Sequence, residues 1–571
     1  MTETTEAVSA PGAGAQPPTP APPASELDPR RWLALASVMT ALFMVLLDVS
    51  IVNVAIPAIR SNLAANNADI QFVIAGYGLA YAVLLITGGR LGDIFGRKRL
   101  FIIGMSGFVI ASALCGLAQS AIMLDLSRVL QGAMAAMMYP QVLSVIQVTF
   151  PPQERARVFG LVGAVIGIAT ITGPLAGGLI IRDDITGQSW RWIFLVNLPI
   201  GIAALIAATR LITESRAPNA TRLDFGGVIL STAGILLLVY PLVEGQVAGW
   251  PAWTFICMAI SPVMLALFIL YERSLPSTRF PLVQLSLFRI RSFSVGVAIS
   301  AIFIAGIPAF FFTFSLMLQV GLGFSALNAG LTTIPWSLAS AVASFMSTRV
   351  APRLGKYTIA IGSALLVIGI LGVIGTLHLQ GTKVTGWDLI PSFIVSGLGL
   401  GTVIAPLLNI ILAGVPGRDA GSASGVLTTF QQLGGAIGVA VVGVVFFGLL
   451  TSRAPDAIAT VTPQLQSQLA AANVPPQEAS ALVAKFSTCF KEQASASDPS
   501  APIPGCSRTS GSPQVSNAFA AAAQAGLARD FVTSVERILF FNVGFWALTG
   551  ILSMLLPRAR PQPVAGVAKA A

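Results

Sequence analysis

Fourteen long apolar stretches, separated by short breaks rich in charge, Gly and Pro, make up most of this 571-residue chain. A helix needs about 20 apolar residues to cross the hydrocarbon of a bilayer. Reading between the breaks gives spans at 33–57, 70–89, 99–119, 122–147, 158–181, 191–211 and 225–245, then 252–271, 293–319, 328–349, 357–378, 389–413, 422–450 and 535–557. The runs lack the period-2 alternation of a membrane barrel strand, so the pattern predicts an all-α polytopic membrane protein. The break after the second run, Gly89-Arg90-Leu91-Gly92-Asp93-Ile94-Phe95-Gly96-Arg97-Lys98-Arg99, is rich in Gly and Arg and holds one carboxylate. The longest break, 451–534, is rich in Ala, Ser, Gln and Pro and long enough for a small helical hairpin.

Composition supports the pattern. Hydrophobic residues are 55% of the chain and charged residues 10%, with a mean hydropathy of +0.81. A soluble domain carries about a quarter charged residues, which excludes that class. The net charge of +10 does not point to nucleic acid, because no basic cluster is interleaved with aromatic residues. The charges sit between apolar runs, where they set topology. Arg30, Arg31, Arg90, Arg97, Lys98, Arg99, Arg155, Arg157, Arg210, Arg216, Arg273, Arg289, Arg349, Arg353, Lys356 and Arg418 fall in the even-numbered breaks or the tails. The short odd-numbered breaks hold only Arg60, Arg182, Arg191 and Lys383. This asymmetry puts both termini in the cytosol and the 451–534 segment outside. Residues 1–32 carry no apolar signal region and are expected to be a disordered cytosolic tail, with a second cytosolic tail at 558–571. The excess of Arg over Lys, with abundant Ala and Gly, fits a GC-rich bacterial genome and hence the bacterial cytoplasmic membrane.

Few residues offer chemistry. Cys489 and Cys506 are the cysteines outside the apolar runs. On an oxidising side a disulfide and two free thiols are both open. Cys115 and Cys257 read as packing residues. One histidine, His378, and no metal-ligand cluster argue against a metal site or a membrane enzyme. The lone Gly-Lys pair, Gly355-Lys356, is followed by Tyr357, so the chain has no phosphate-binding loop for ATP. Asp48 lies inside the first run and Arg128 inside the fourth, where a charge is costly and functional by default. Asp48 also admits a plain reading as a polar contact between helices, and Arg128 as a side chain reaching the interface.

The 89–99 break resembles the signature between helices 2 and 3 of the major facilitator superfamily, Gly-x-Leu-(Ala/Gly)-Asp-Arg-x-Gly-Arg-(Lys/Arg), at Gly89, Leu91, Gly92, Asp93, Gly96, Arg97 and Lys98. Ile94 departs from a commonly basic position. Arg128-Val129-Leu130-Gln131-Gly132 is similar to the family's Arg-x-x-Gln-Gly motif in helix 4. Gly173-Pro174-Leu175-Ala176-Gly177-Gly178 resembles the antiporter motif of helix 5. Leu47-Asp48-Val49-Ser50-Ile51-Val52-Asn53-Val54-Ala55-Ile56-Pro57 and Trp190-Arg191-Trp192 through Asn197-Leu198-Pro199 resemble the fourteen-helix drug:proton antiporter branch, of EmrB/QacA type. So do Gly397 to Gly401 with Pro406, and Gln432 to Gly438.

The resemblance implies two six-helix bundles, about 33–211 and 293–557, with two inserted helices at 225–271. It implies proton coupling at Asp48 and Arg128. A carboxyl's proton affinity rises on burial and falls beside a guanidinium, so moving Asp48 relative to Arg128 would load and release a proton. It assigns gating to Gly89, Asp93, Gly96, Arg97, Lys98, Gln131, Gly132, Gly173, Pro174, Gly177 and Gly178. In the family the Asp93 contact with the other half closes the cytosolic side, and the helix-5 motif seals the outer gate. A substrate cavity near midplane is expected to draw on Asn53, Tyr77, Met134, Met137, Met138, Phe312, Trp336 and Gln431. No cofactor is expected, the proton gradient being the energy source. The implied function is export of small lipophilic, often cationic, compounds by a monomer in contact with membrane lipids. Export of a native lipid or secondary metabolite is the alternative, and a non-transporting sensor or scaffold the remote one.

Overall fold

The computed structural model describes residues 28–63, 65, 67–183, 189–217, 223–245, 248–275, 281–496, 506 and 513–557. The proposed tails fall largely outside them. Every regular element among these residues is a helix. A first group comprises α1 (Arg31–Leu63), α2 (Asn67–Phe95), α3 (Arg97–Gly116), α4 (Ala121–Thr149), α5 (Pro152–Asp183), the single turn α6 (Trp192–Leu195) and α7 (Asn197–Leu211). An antiparallel pair follows, α8 (Phe225–Glu244) and α9 (Ala252–Ser274). The second group holds α10 (Arg291–Leu316), the short α11 (Ala326–Thr332), α12 (Ile334–Leu354), α13 (Tyr357–Gln380), α14 (Ile390–Ala413), α15 (Ala420–Ala471), α16 (Pro476–Ser495) and α17 (Pro513–Ser553).

Thirteen helical stretches among the described residues are long and apolar enough to cross a membrane. Of the two long helices outside this set, α12 and α16, α12 is less apolar because it carries Arg349, Arg353 and a row of buried serines. It packs along α5 and α14, in the position of the missing crossing. The two groups meet along two seams, α2 against α15 and α5 against α12. Both seams are built from small residues, which lets backbones approach closely. On α5, a Cβ added at Gly163 would lie 1.9 Å from Ser344 Oγ, and one at Gly167 would lie 3.0 Å from the Ser337 carbonyl oxygen.

Several sequence boundaries are corrected. The sixth span is broken at Val196 into α6 and α7, and the tenth at Thr333, just before Pro335 of α12. α10 ends in a π-helical turn over Met317–Gly321. The largest boundary differences lie in the 451–534 segment, whose helical part is longer than a small hairpin: α15 runs on to Ala471, α17 starts at Pro513, and α16 lies against both. Ala454, Ile458, Leu465, Phe486, Phe490 and Ala522 give this region its own apolar core.

Cys489 on α16 is joined to Cys506 across a sequence separation of 17. Closing a loop of this size removes unfolded-state freedom worth about 3 kcal/mol. Cys489→Ser is therefore expected to make the connection between α16 and α17 a preferred cleavage site in limited proteolysis. The membrane-embedded fragments should stay protected, because their cores do not depend on the hairpin.

Candidate functional site: a buried ion pair and an interhelical gate

Asp48 sits halfway along α1 and is fully buried, as is Arg128 on α4. Arg128 Nη1 donates to Asp48 Oδ2 at 2.5 Å and to Gln131 Oε1 at 2.7 Å. Its Nε donates to the Val73 carbonyl of α2 at 3.0 Å. Gln131 Nε2 donates to Asp48 Oδ1 at 2.8 Å, and Asn197 Nδ2 of α7 reaches the same oxygen at 3.4 Å. Ser112 Oγ of α3 accepts from Asn197 Nδ2 at 3.1 Å and donates to the Phe194 carbonyl at 2.9 Å. The guanidinium also lies over the Tyr77 ring, 4.3 Å from its centre.

Burying an isolated charge costs many kcal/mol, and here pairing plus a near-complete hydrogen-bond shell offsets that cost. Five helical elements supply the shell. Gly132, one residue beyond Gln131, permits the approach of α4 to α2: a Cβ there would lie 2.2 Å from the Tyr77 carbonyl oxygen. Gly173 and Gly177 of α5 do the same for α1. A Cβ at Gly173 would lie 1.8 Å from Ser50 Oγ, and one at Gly177 3.0 Å from Ile51 Cγ1. The helix-5 motif thus packs on α1 within one turn of Asp48. Its other face, at Pro174 and Gly178, meets Gly330 and Leu327 of α11 in the second group.

A second polar centre lies at the far end of α2. Asp93, fully buried, accepts from the backbone N–H of Gly421 at 3.1 Å and of Ser422 at 2.9 Å. These are first-turn donors of α15, so the carboxylate also meets the positive end of the helix dipole. Arg97 Nη2 donates to Asp93 Oδ1 at 2.8 Å and to the Gly417 carbonyl at 2.8 Å. Gly89 brings the two groups into backbone contact, since a Cβ there would lie 2.3 Å from the Gly421 carbonyl oxygen. Gly96 turns the chain into α3 with φ 108°, a conformation that favours glycine. From α4, Ser144 Oγ lies 3.2 Å from the Ala420 carbonyl, and Gln147 Nε2 donates to the carbonyls of Leu412 and Val415 at 2.9 and 2.8 Å. This end of the molecule is closed by contacts between the two groups.

The model of the family described as Major Facilitator Superfamily matches residues 38–439. The chain belongs to the major facilitator superfamily. A probable actinorhodin transporter of Streptomyces coelicolor is 39% identical over 537 residues, 94% of this chain and 92% of the relative. The multidrug resistance protein Stp of Mycobacterium tuberculosis is 33% identical over 439 residues, 76% of this chain and 78% of the relative. The solved structure of the human organic anion transporter MFSD10 (TETRAN) has a TM-score of 0.53 at 15% identity, covering 73% of this chain and 94% of that one. That last likeness concerns the fold alone. The two relatives are described as a probable transporter and a resistance protein.

Of the expected site residues in this transporter, Asp48, Arg128 and Gln131 come together, as do Gly89, Asp93 and Arg97. Lys98 lies beside them, its Nζ donating to the Thr209 carbonyl at 2.7 Å. The residues expected at the cavity lie as follows. Met134 and Met138 lie one helical turn apart, on the face of α4 that packs over Gly104 and Gly107 of α3, inside the first group. Met137 lies against Gly88 of α2. Trp336 is 1% exposed in an aromatic core, stacked on Phe310 at 5.0 Å and edge-on to Phe393. Tyr77 is equally buried and stacks on Tyr81. Phe312 lies near Phe447 between α10 and α15, and Gln431 Nε2 donates to Ser300 Oγ at 2.9 Å across the same pair. The side chain of Asn53 lies outside the described residues.

Sequence reading placed Asn197 in a motif without a role in the Asp48 shell, and missed Ser112 there, along with Gln141, Ser144, Gln147 and Ser422. A usable signal existed for three of these. Gln141, Ser144 and Gln147 recur at three-residue steps through an apolar run, a polar stripe that lipid would not tolerate. Ser422 carried none, because its role comes from a backbone N–H.

Proposed function

We propose that this transporter is a proton-coupled antiporter exporting lipophilic, often cationic, compounds by alternating access. The observation that carries the reading is the buried Asp48 carboxylate, shared by Arg128 and Gln131 in the middle of the membrane-spanning region. A proton competes with the guanidinium for that carboxylate. In the exchange, a proton neutralises Asp48 when Arg128 is drawn away, and leaves when the pair re-forms. Asp48 is the proton acceptor, Arg128 its displaceable partner, and Gln131 with Asn197 and Ser112 hold the carboxylate in place. The α5 motif links this site to the contacts between the halves, because Gly173 and Gly177 rest on the turn of α1 that follows Asp48.

The gate at Asp93 and Arg97 closes the cytosolic side in this reading, with both termini cytosolic, bundles at 33–211 and 293–557, and a monomer as the working unit. Tyr77, Met137, Phe312, Gln431 and Asn53 remain the candidates to meet substrate once the halves separate. A second reading, export of an endogenous secondary metabolite, draws support from the likeness to a probable actinorhodin transporter over 94% of the chain. The test is uptake of ethidium into inverted membrane vesicles. Uptake that an imposed acid interior drives and an uncoupler stops supports proton antiport. Uptake unaffected by the uncoupler would reject it. Coupled uptake of a native metabolite with no ethidium uptake would favour the second reading.

A further inference from the structure

The inserted pair α8–α9 lies outside the two six-helix groups, yet the described parts of its connections, residues 212–217 and 281–283, run into the gate. Residues 212–217, which leave α7, lie along the 93–99 turn. Arg97 N donates to the Ser215 carbonyl at 2.9 Å, and Ala217 N donates to the Asp93 carbonyl at 3.0 Å. Glu214 accepts from the backbone N–H of Lys98 and of Arg99, each at 3.2 Å. Its carboxylate thereby serves the first turn of α3, which has no side-chain cap of its own.

On the opposite side, residues 281–283 lead from α9 towards α10. Glu272 of α9 is buried, and its Oε1 accepts from the backbone N–H of Leu282 at 3.0 Å and of Val283 at 3.3 Å. The Leu282 carbonyl accepts from Ser422 Oγ at 3.4 Å, on the same residue whose N–H binds Asp93. Arg90 of α2 interacts electrostatically with Glu272, Asp93 and Asp419. α8 is held in the same cluster, since Tyr271 Oη donates to Asp224 Oδ1 at 2.9 Å beside Gly227.

We propose that the inserted helix pair is a strap across the gate, with Glu214 and Glu272 as the positioning residues that fasten its two ends. Glu214 fixes one linker to the first group, at the turn that carries Asp93 and Arg97. Glu272 fixes the other linker to α9, holding the Leu282 carbonyl where it meets Ser422 in the first turn of α15. Opening the gate separates Asp93 from Ser422, so it must also pull the 281–283 segment away from one of its partners. The strap favours the closed gate. This rests on the alternating-access reading above and adds two residues to it.

The test uses the full-length transporter with Cys115→Ser and Cys257→Ser, and Ser144→Cys as reporter. Ser144 is buried in the gate against Ala420 and Ser424, so a thiol there meets a water-soluble maleimide only when the gate opens. Asp93→Asn is the reference for a weakened gate. Glu214→Ala and Glu272→Ala are each expected to speed labelling by roughly tenfold, the effect of losing two backbone hydrogen bonds. Glu272→Gln, which keeps an oxygen for Leu282 and Val283, should return most of the way to the parent rate. A purely structural role would instead lower the melting temperature of both Glu272 variants without moving labelling. If Asp93→Asn speeds labelling but neither alanine variant does, the strap is overturned and the gate stands. If Asp93→Asn has no effect either, the gate reading falls and the strap with it. Glu214 lies at the surface, so its variant decides the question even if Glu272→Ala does not fold.

Discussion

Asp48→Asn is expected to reduce uphill export to the level of empty vesicles while leaving substrate counterflow measurable. Asparagine keeps the shape of the side chain and one of the two acceptor oxygens, which serves either Arg128 or the Gln131 and Asn197 amides, so the packing of α1 against α4 should largely survive. The substitution removes the group that would carry the proton. Counterflow needs only the interchange of inward- and outward-facing forms with substrate bound, so it reports transport without coupling. Asp48→Ala should behave differently. It leaves the Arg128 guanidinium buried without its carboxylate, and breaking one side of a buried pair costs about 3–5 kcal/mol. That variant is expected to melt at a distinctly lower temperature, with Asp48→Asn, which keeps one acceptor oxygen near the guanidinium, between it and wild type. Retained uphill export in a folded Asp48→Asn protein would remove Asp48 from the coupling step.

The second large effect is expected at Gly89. The backbones of α2 and α15 touch here, each glycine facing the other's carbonyl: a Cβ on Gly89 would lie 2.3 Å from Gly421 oxygen, and one on Gly421 2.4 Å from Gly89 oxygen. Neither neighbour is a flexible side chain, so relief requires moving a helix. Gly89→Val therefore wedges the closed gate while leaving the packing within each group nearly unchanged. Overpacking of this kind costs about 1–3 kcal/mol. Applied to one of two interconverting states, that shifts their ratio by roughly five- to 150-fold. The expected result is faster maleimide labelling at Ser144→Cys and export that falls in proportion, at an unchanged melting temperature. A large loss of thermal stability with unchanged labelling would place Gly89 in the folding of the first group instead.

Much of this arrangement was legible in the chain, for identifiable physical reasons. Apolar runs of helical length identify the crossings because a bilayer forbids most other choices. Intramembrane charges drew attention to Asp48 and Arg128, and the structure brings them together. The 89–99 string pointed to Asp93 and Arg97 for the same reason that they bind: glycine spacing and one carboxylate suit a helix N-terminus. What the sequence hid was orientation around each helix. Met134 and Met138 looked like cavity residues by type, yet their phase on α4 turns them to Gly104 and Gly107 of α3. Trp336 likewise became part of an aromatic core with Phe310 and Phe393. Helix ends were hidden too, because α15 and α17 continue past their apolar stretches as a soluble-type hairpin with alternating polar and apolar faces. The roles of Glu214 and Glu272 are made by backbone N–H groups, which no side-chain pattern announces.

The central claim is that Asp48 exchanges a proton against substrate, and the most direct measurement counts that proton. Purified wild-type protein in weakly buffered detergent, mixed with ethidium, should release protons into solution in proportion to the protein that binds drug. Asp48→Asn, shown by fluorescence to bind the same drug, should release none. Equal release from both proteins would contradict the account.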